Sequence, residues 1–230
     1  KSNKVTVIPH GIDLDEFSPE INGKSIRGEF GVSGSLVGMI TRLAPWKGIE
    51  VFIKAANYID KDVKFAVIAE PVIGKEKYAL KLKKIIERLG LKERVLIKSV
   101  EYKRIPEVLA AFDIVVHASL RPEPFGLIII EAMAEGKPVI ASRLGGPLEI
   151  ITEGADGMLI EPGNPRILAS AITRLLHDPK TAQEMGHKAR EKVIEKFNLK
   201  EYAISFDVIF RKTIKEYSLR RANISIRKDA

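Results

Sequence analysis

Short apolar runs alternate along the chain with longer segments in which apolar residues recur every three or four positions. Residues 36–40 form the first clear run, and Ile49, Phe52, Ile53 and Ala56 follow it at helical spacing. Uninterrupted apolar runs of this length are typical of strands that are buried on both faces of a sheet. The pattern predicts strands at residues 5–8, 36–40, 65–69, 95–97, 114–116, 138–141 and 158–160.

Helices are predicted between these runs, and beyond Pro179 the pattern is helical only, with a last helix from Leu199 to about Leu219. Alternation of all-apolar strands with helices favours a parallel sheet that is covered on both faces. The predicted fold class is therefore α/β, a Rossmann-like doubly wound parallel sheet with extra C-terminal helices. In such sheets ligands bind at the carboxyl ends of the strands, so residues that directly follow a strand are candidates for a site.

One proline-rich stretch suggests a nucleotide site. Prolines flank Glu123 and hold it in an extended loop, because proline fixes its own φ and disfavours the α region for the residue before it. A helix is predicted from Phe125 to Gly136, and its start after Gly126 offers free N–H groups and the positive end of the helix dipole to an anion. Glu131 lies roughly 7 to 8 Å along that helix, where it could bind sugar hydroxyls behind a phosphate.

A pair of cations follows the predicted strand at residues 36–40. Arg42 and Lys47 lie in a turn before the next helix, and Arg can bind a diphosphate as a fork while Lys binds it as a point charge. A solvated loop is the alternative interpretation of this turn.

The Asp13 and Asp15 pair and His117 are two further candidates for a functional site. Asp13 and Asp15 form an Asp-x-Asp pair that could hold a divalent metal, but Asp is also a common turn former, and no third ligand is evident. No metal site is therefore expected. His117 follows a strand and could approach the site, although a satisfied interior histidine is the commoner case.

Composition narrows the class of protein. The chain has 230 residues, 45% of them hydrophobic, which is enough for one large α/β domain with extensions. The absence of cysteine excludes disulfides and thiolate chemistry. No run approaches the roughly 18 to 20 apolar residues of a membrane span, and no signal-peptide pattern opens the chain, so a cytoplasmic location is expected.

The formal charge of +8 is concentrated near the C-terminus, where residues 211–230 hold seven Lys or Arg against two acids. Such a tail could touch anionic lipid at the membrane periphery, whereas a solvated helix end is the alternative. A basic surface studded with aromatic residues, which nucleic-acid binding favours, is not evident, so no nucleic-acid partner is expected.

The stretch from Glu123 to Glu131 and its continuation resemble the E-x7-E signature of retaining GT-B glycosyltransferases, in particular glycosyltransferase family 4. The similar run reads PEPFG, then EAMA, then GKPVIAS and GG, and the Arg42 to Gly48 element precedes it in the same order as in the family. The resemblance extends from Val5 to about Phe197. It implies one half of a GT-B fold, the half that binds the donor.

The resemblance also implies roles for individual residues. Arg42 and Lys47 would neutralise the donor diphosphate and, with Glu123 at the transferred sugar, form the catalytic set. Glu131 would bind ribose hydroxyls. The remaining donor contacts would be Ser99 and Val100 at the base, and the backbone of Phe125, Gly126 and Leu127 at the leaving group. The loop after residue 69 departs from the family, which usually has a Gly-rich turn there.

The resulting hypothesis is the donor-binding domain of a retaining, metal-independent glycosyltransferase without a cofactor, whose substrate is a UDP-, GDP- or ADP-linked sugar. The implied segments are a strand and connector at residues 1–22, the nucleotide-sugar-binding domain at 23–198, and a helix with a basic tail at 199–230. The acceptor, a glycan, lipid or small molecule, would bind an N-terminal domain missing here, so the chain alone is expected to be inactive. A non-catalytic nucleotide-sugar-binding or regulatory module is the alternative, and a nucleotide-sugar epimerase is a third.

Overall fold

Six parallel strands form one sheet in the described part of the chain. The computed structural model describes residues 5–70, 74 and 76–226, with side chains described as far as residue 218. The strands run in the order β3-β2-β1-β4-β5-β6, and each neighbouring pair is parallel. They are β1 (Leu36–Arg42), β2 (Lys64–Glu70), β3 (Val95–Lys98), β4 (Ile114–His117), β5 (Val139–Ser142) and β6 (Met158–Ile160).

Helices connect the strands and cover both faces of the sheet, which confirms the predicted Rossmann-like α/β fold. The strand order reverses between β1 and β4, and this reversal leaves a crevice at their carboxyl ends. The helices are α1 (Lys24–Glu29), α2 (Ile49–Ala56), α3 (Glu76–Arg88), α4 (Ile105–Ala111), α5 (Leu127–Ala134), α6 (Pro147–Ile150), α7 (Pro165–His177), α8 (Pro179–Lys196) and α9 (Leu199–Ile226).

Two apolar cores lie on opposite faces of the sheet. Val37 and Met39 of β1 pack into the core shared with α2, α3 and α7, whereas Leu36 packs into the core shared with α4, α5 and α8. Successive strand residues point to opposite faces, so this division follows from the strand geometry. Gly38 faces the ring of Phe112 so closely that a Cβ there would overlap it.

The two ends of the chain differ from the sequence prediction. Residues 5–8, predicted as a strand, pair with no strand in the described structure, and Val5 and Val7 are 76% and 82% exposed. The last helix extends to Ile226, seven residues beyond its predicted end. The division at residues 22 and 198 remains a prediction, although Ile12 and Leu199 join the first and last segments through backbone hydrogen bonds. Among the helices described, none combines the length and the apolar character needed to cross a membrane.

We predict that Gly38→Ala lowers the free energy of unfolding by about 1 to 3 kcal/mol, because its methyl group displaces the buried Phe112 ring. Urea denaturation followed by circular dichroism measures this change. Gly28→Ala in α1 is the matched control: nothing lies within 4 Å of its added Cβ, and alanine favours a helix by about 0.5 to 1 kcal/mol. Equal stability of the two variants would contradict the packing argument.

Candidate functional site

The carboxyl ends of β1, β2 and β4 and the start of α5 surround a cavity of about 610 Å³. This is the position at which doubly wound sheets bind ligands. Arg42 enters the cavity from the end of β1, Lys47 from the turn that follows, and Glu123 from the loop after β4. Glu131 reaches it from α5, so the predicted cations and carboxylates share one cavity.

The backbone of Glu123 is held by the loop that follows β5. Glu123 forms a parallel bridge with Gly145, and Gly146 N–H donates a 2.8 Å hydrogen bond to the Glu123 carbonyl. Gly145 has a φ of +64°, and a Cβ on it would overlap the Glu123 backbone. The two glycines therefore allow the loops after β4 and β5 to touch, and they fix the entry of Glu123 into the cavity.

The turn that holds Lys47 is fastened to the loop after β4. Pro45 to Lys47 form one turn of 3₁₀ helix, and the Trp46 carbonyl accepts a 2.7 Å hydrogen bond from Leu120 N–H. Gly48 adopts a φ of +76°, and any Cβ there would overlap the Ala118 carbonyl. This close approach brings the cation of one loop to the carboxylate of the other.

Lys47 and Glu123 form a buried ion pair. Lys47 Nζ donates to Glu123 Oε1, and the two side chains are 13% and 8% exposed. His117 Nε2 lies 3.5 Å from the same oxygen. Burial would raise the pKa of Glu123, but the hydrogen bonds from His117 and Lys47 outweigh it and lower the pKa to about 2. Glu123 is therefore a carboxylate at any physiological pH.

Trp46 contacts both cations of the turn. Its ring centroid lies 4.3 Å from Lys47 Nζ and 6.0 Å from Arg42 Cζ. A cation over the face of tryptophan is attracted by the negative potential of the ring. The indole thus helps to hold two positive charges beside each other in front of the cavity.

Glu131 differs from Glu123 in its surroundings. It is 7% exposed, and its carboxylate accepts no hydrogen bond from the described part of the chain. Burial, followed by repulsion from Glu16, raises the pKa of Glu131 to about 7. A carboxylate at the cavity wall without a protein partner is suited to accept hydrogen bonds from hydroxyl groups of a ligand.

The first turn of α5 leaves backbone donors free. Gly126 precedes the helix with a φ of +109°, and no side chain of the described residues caps this end. Phe125, Gly126, Leu127 and Ile128 all line the cavity. Unpaired N–H groups and the positive end of the helix dipole therefore face the same space as Arg42 and Lys47.

The cavity contains most of the predicted site residues but not all of them. Ser99 lines a separate cavity of about 200 Å³ next to Leu43, whereas Val100 lines the main one. The predicted residues that do line the main cavity are Arg42, Lys47, Val100, Glu123, Phe125, Gly126, Leu127 and Glu131.

Five polar residues of the cavity are not among the site residues predicted from the sequence: His10, Thr41, Glu70, Tyr102 and His117. Glu70 is the last residue of β2, and His117 is the last residue of β4. Their position at the carboxyl end of a strand is the signal that the sequence offered. His117 is buried, but its Nδ1 has no partner in the described chain, which contradicts the interpretation as a satisfied interior histidine. Tyr102 begins a turn of 3₁₀ helix and gave no signal, whereas His10 lies in the connector, where a cleft beside a second domain was the available signal.

The Asp13 pair forms a turn. Asp13 Oδ1 accepts hydrogen bonds from the N–H groups of Asp15 and Glu16, at 2.9 and 3.3 Å. Asp13 therefore acts as the turn former that its position suggested. The described residues include no cluster of three or more His, Cys, Asp or Glu that could hold a metal ion.

We predict that Glu131→Gln stabilises the chain at pH 8 but hardly at pH 5. Burial raises the pKa of Glu131 from 4.5 to about 7, so the folded chain retains a proton that the unfolded chain releases between these values. Stability therefore falls as the pH rises through this window, and ionised Glu131 costs about 3 kcal/mol above it. Urea denaturation between pH 5 and 8 measures the difference between wild type and variant.

The exposed Glu149 on α6 provides the control for this prediction, because its carboxylate stays solvated in the folded chain. Glu149→Gln should therefore change stability only slightly. If Glu131→Gln also changes stability only slightly at pH 8, the predicted titration of Glu131 is wrong.

Comparison with known proteins places this geometry in a family. The family model described as Glycosyl transferases group 1 matches residues 28–192. The D-inositol 3-phosphate glycosyltransferase of Corynebacterium glutamicum (strain R) is 31% identical over 201 residues, which are 82% of this chain and 47% of that protein. The poly(ribitol-phosphate) alpha-N-acetylglucosaminyltransferase of Staphylococcus aureus (strain COL) is 36% identical over 168 residues, 71% of this chain and 32% of that protein. The chain thus spans about half or less of the length of these relatives.

Solved structures show the same fold. HepE (Alr3699) of Anabaena, crystallised with UDP and glucose, aligns with a TM-score of 0.85 and 32% identity over 90% of this chain and 56% of that one. The C-terminal domain of LpcC, a glycosyl transferase group 1 family protein of Francisella tularensis, aligns with a TM-score of 0.75 and 28% identity, over 82% of this chain and 100% of that one. The family model and these shared folds confirm the resemblance seen in the sequence: the chain belongs to the glycosyl transferases group 1 family and has the Rossmann-like fold of a GT-B glycosyltransferase domain.

Proposed function

We propose that the chain is the donor-binding domain of a retaining glycosyltransferase, which takes a sugar from a nucleotide diphosphate sugar for transfer to an acceptor hydroxyl. One observation carries this proposal. A single cavity at the switch point joins two cations, an uncapped helix start and two carboxylates of different ionisation. A diphosphate flanked by a ribose and a hexose presents groups that are complementary to these.

Each group has a proposed role along the donor. Arg42 and Lys47 neutralise the diphosphate, and the backbone N–H groups at residues 125–127 assist its departure. Glu131 accepts hydrogen bonds from the ribose hydroxyls, and Glu123 contacts the transferred sugar. Negative charge that develops on the leaving diphosphate is met by preorganised positive charge, which is the usual form of electrostatic catalysis.

Metal independence is part of the proposal. Two side-chain cations and a helix dipole already supply positive charge at the proposed diphosphate position, so the donor needs neither a divalent ion nor another cofactor for neutralisation. Retention of the anomeric configuration is proposed from the family resemblance. UDP is the favoured nucleotide among UDP, GDP and ADP, since HepE was crystallised with UDP.

The acceptor is proposed to bind a second domain. The relatives are about twice as long as this chain or longer, and α9 presents exposed apolar side chains that another domain could cover. These are Ile204, Val208, Phe210 and Ile214, which are 54% to 65% exposed. We also propose that the basic end of this helix contacts anionic lipid. The alternative function for the whole chain is a nucleotide-sugar-binding regulatory module.

We predict metal-independent binding of one nucleotide diphosphate, weakened by about 1 to 3 kcal/mol in Lys47→Ala and in Glu131→Ala through loss of charged hydrogen bonds. Calorimetric titration of the chain with UDP, GDP and ADP in EDTA provides the measurement. Lys180→Ala is the control, because Lys180 is an 87% exposed cation on α8 outside this cavity. Unchanged affinity in both site variants would refute the site assignment.

We also predict that this chain alone transfers no sugar, because the proposed acceptor domain is needed to present the attacking hydroxyl. The measurement is the release of UDP from UDP-glucose with glucose, glycerol or inositol phosphate as acceptor. Turnover above the buffer rate by the isolated chain would contradict the two-domain proposal while leaving donor binding intact.

A further inference from the structure

The Lys47–Glu123 ion pair joins two groups that bind different parts of the donor in the proposed function. Lys47 is assigned to the diphosphate and Glu123 to the transferred sugar, yet they contact each other in the structure. Both residues line the same cavity. The contact is therefore made in the space that the donor would enter, between its phosphate and its hexose.

The free-energy cost of separating Lys47 from Glu123 depends on the ligand. The side chains are 13% and 8% exposed, and a buried charge that loses its partner is strongly destabilising. If a phosphate takes Lys47, the Glu123 carboxylate keeps only His117 Nε2 at 3.5 Å. Within the described chain, Glu123 Oε2 accepts no hydrogen bond that could compensate.

A hexose lowers the cost of separating the pair because its hydroxyl groups are hydrogen-bond donors. A hydroxyl donating to Glu123 would replace Lys47 as the partner of the carboxylate, while the diphosphate would replace Glu123 as the partner of Lys47. A nucleoside diphosphate without a sugar supplies only the second of these exchanges. The two ligands therefore differ in whether Glu123 is left unpaired.

We propose that Glu123 competes with the diphosphate for Lys47, and that the chain thereby binds the sugar-charged donor in preference to the free nucleoside diphosphate. This inference rests on the proposed function. It makes Glu123 a specificity-determining residue as well as a contact of the sugar. After transfer, Glu123 loses its hydroxyl partners, recovers Lys47 and favours release of the nucleotide product.

Lys47 could instead serve both partners at once, since an ammonium group has three N–H donors. Trp46, with its centroid 4.3 Å from Nζ, would then hold Lys47 in place while phosphate and Glu123 bind together. In that arrangement Glu123 would not weaken phosphate binding through Lys47. A double-mutant cycle separates the two arrangements.

The test compares UDP with UDP-glucose by calorimetric titration of wild type and Glu123→Gln. If the wild-type chain prefers GDP or ADP, that nucleotide and its glucose or mannose derivative replace the uridine pair. Glutamine keeps the shape of the side chain and removes its charge. We expect Glu123→Gln to bind the nucleoside diphosphate about three to ten times more tightly and to lose its preference for the sugar-charged form.

Removal of any negative charge near a phosphate could also tighten binding without involving Lys47. The same substitution is therefore made in a Lys47→Met background, where competition for Lys47 is impossible. We expect Glu123→Gln to leave UDP affinity unchanged in that background. The coupling factor between Lys47 and Glu123 would then equal the gain in UDP affinity that Glu123→Gln gives in the wild-type chain. Glu153→Gln, which removes the partner of Arg143 in an exposed ion pair, is the control for a remote loss of charge.

The outcomes are distinct. Tighter UDP binding only when Lys47 is present supports the inference, and thermal denaturation confirms that each variant is folded. Weaker or unchanged UDP binding in Glu123→Gln overturns it, as does equal tightening in the Lys47→Met background, while the proposed donor site survives both results. Absence of nucleotide binding by the wild-type chain itself would overturn the proposed function together with this inference.

Discussion

The contact between the loops that follow β1, β4 and β5 is the constraint on which the site depends. Leu120 N–H binds the Trp46 carbonyl, and Gly146 N–H binds the Glu123 carbonyl, at 2.7 and 2.8 Å. These backbone bonds need close approach, which Gly48 and Gly145 permit because they have no Cβ. A cation from one strand end and a carboxylate from another therefore meet in a fixed geometry, independently of side-chain rotamers elsewhere.

The fold and the main charged groups of the site could be predicted because each has a local cause. Apolar strands, helix spacing and the prolines around Glu123 are visible in a single sequence, and they led to the right sheet and to Lys47, Glu123 and Glu131. The contact between His117 and Glu123 could not be predicted, because it depends on how a strand end faces a loop across the cavity. The base contact at Ser99 stays a prediction, and Ser99 lines a separate, smaller cavity next to Leu43.

Helix α5 carries a buried carboxyl group that lowers the stability of the fold. Six of its eight residues are buried, among them Glu131, and Glu135 follows directly as the C-cap. Neither oxygen of Glu135 has a hydrogen-bond partner in the described chain. Burial raises the pKa of Glu135 to about 8, while Lys137 acts in the opposite direction. A helix that served only the core would carry an apolar residue at position 131, so the buried carboxyl group of Glu131 lowers the stability of the fold when it is ionised.

The position of Trp46 has a spectroscopic consequence. It is the only tryptophan of the chain, and its ring lies 4.3 Å from the ammonium group of Lys47. The tryptophan fluorescence of the protein therefore comes from a single indole beside Lys47. A nearby positive charge shifts the emission of that indole. Movement of Lys47 is therefore expected to change the tryptophan emission of the unlabelled protein.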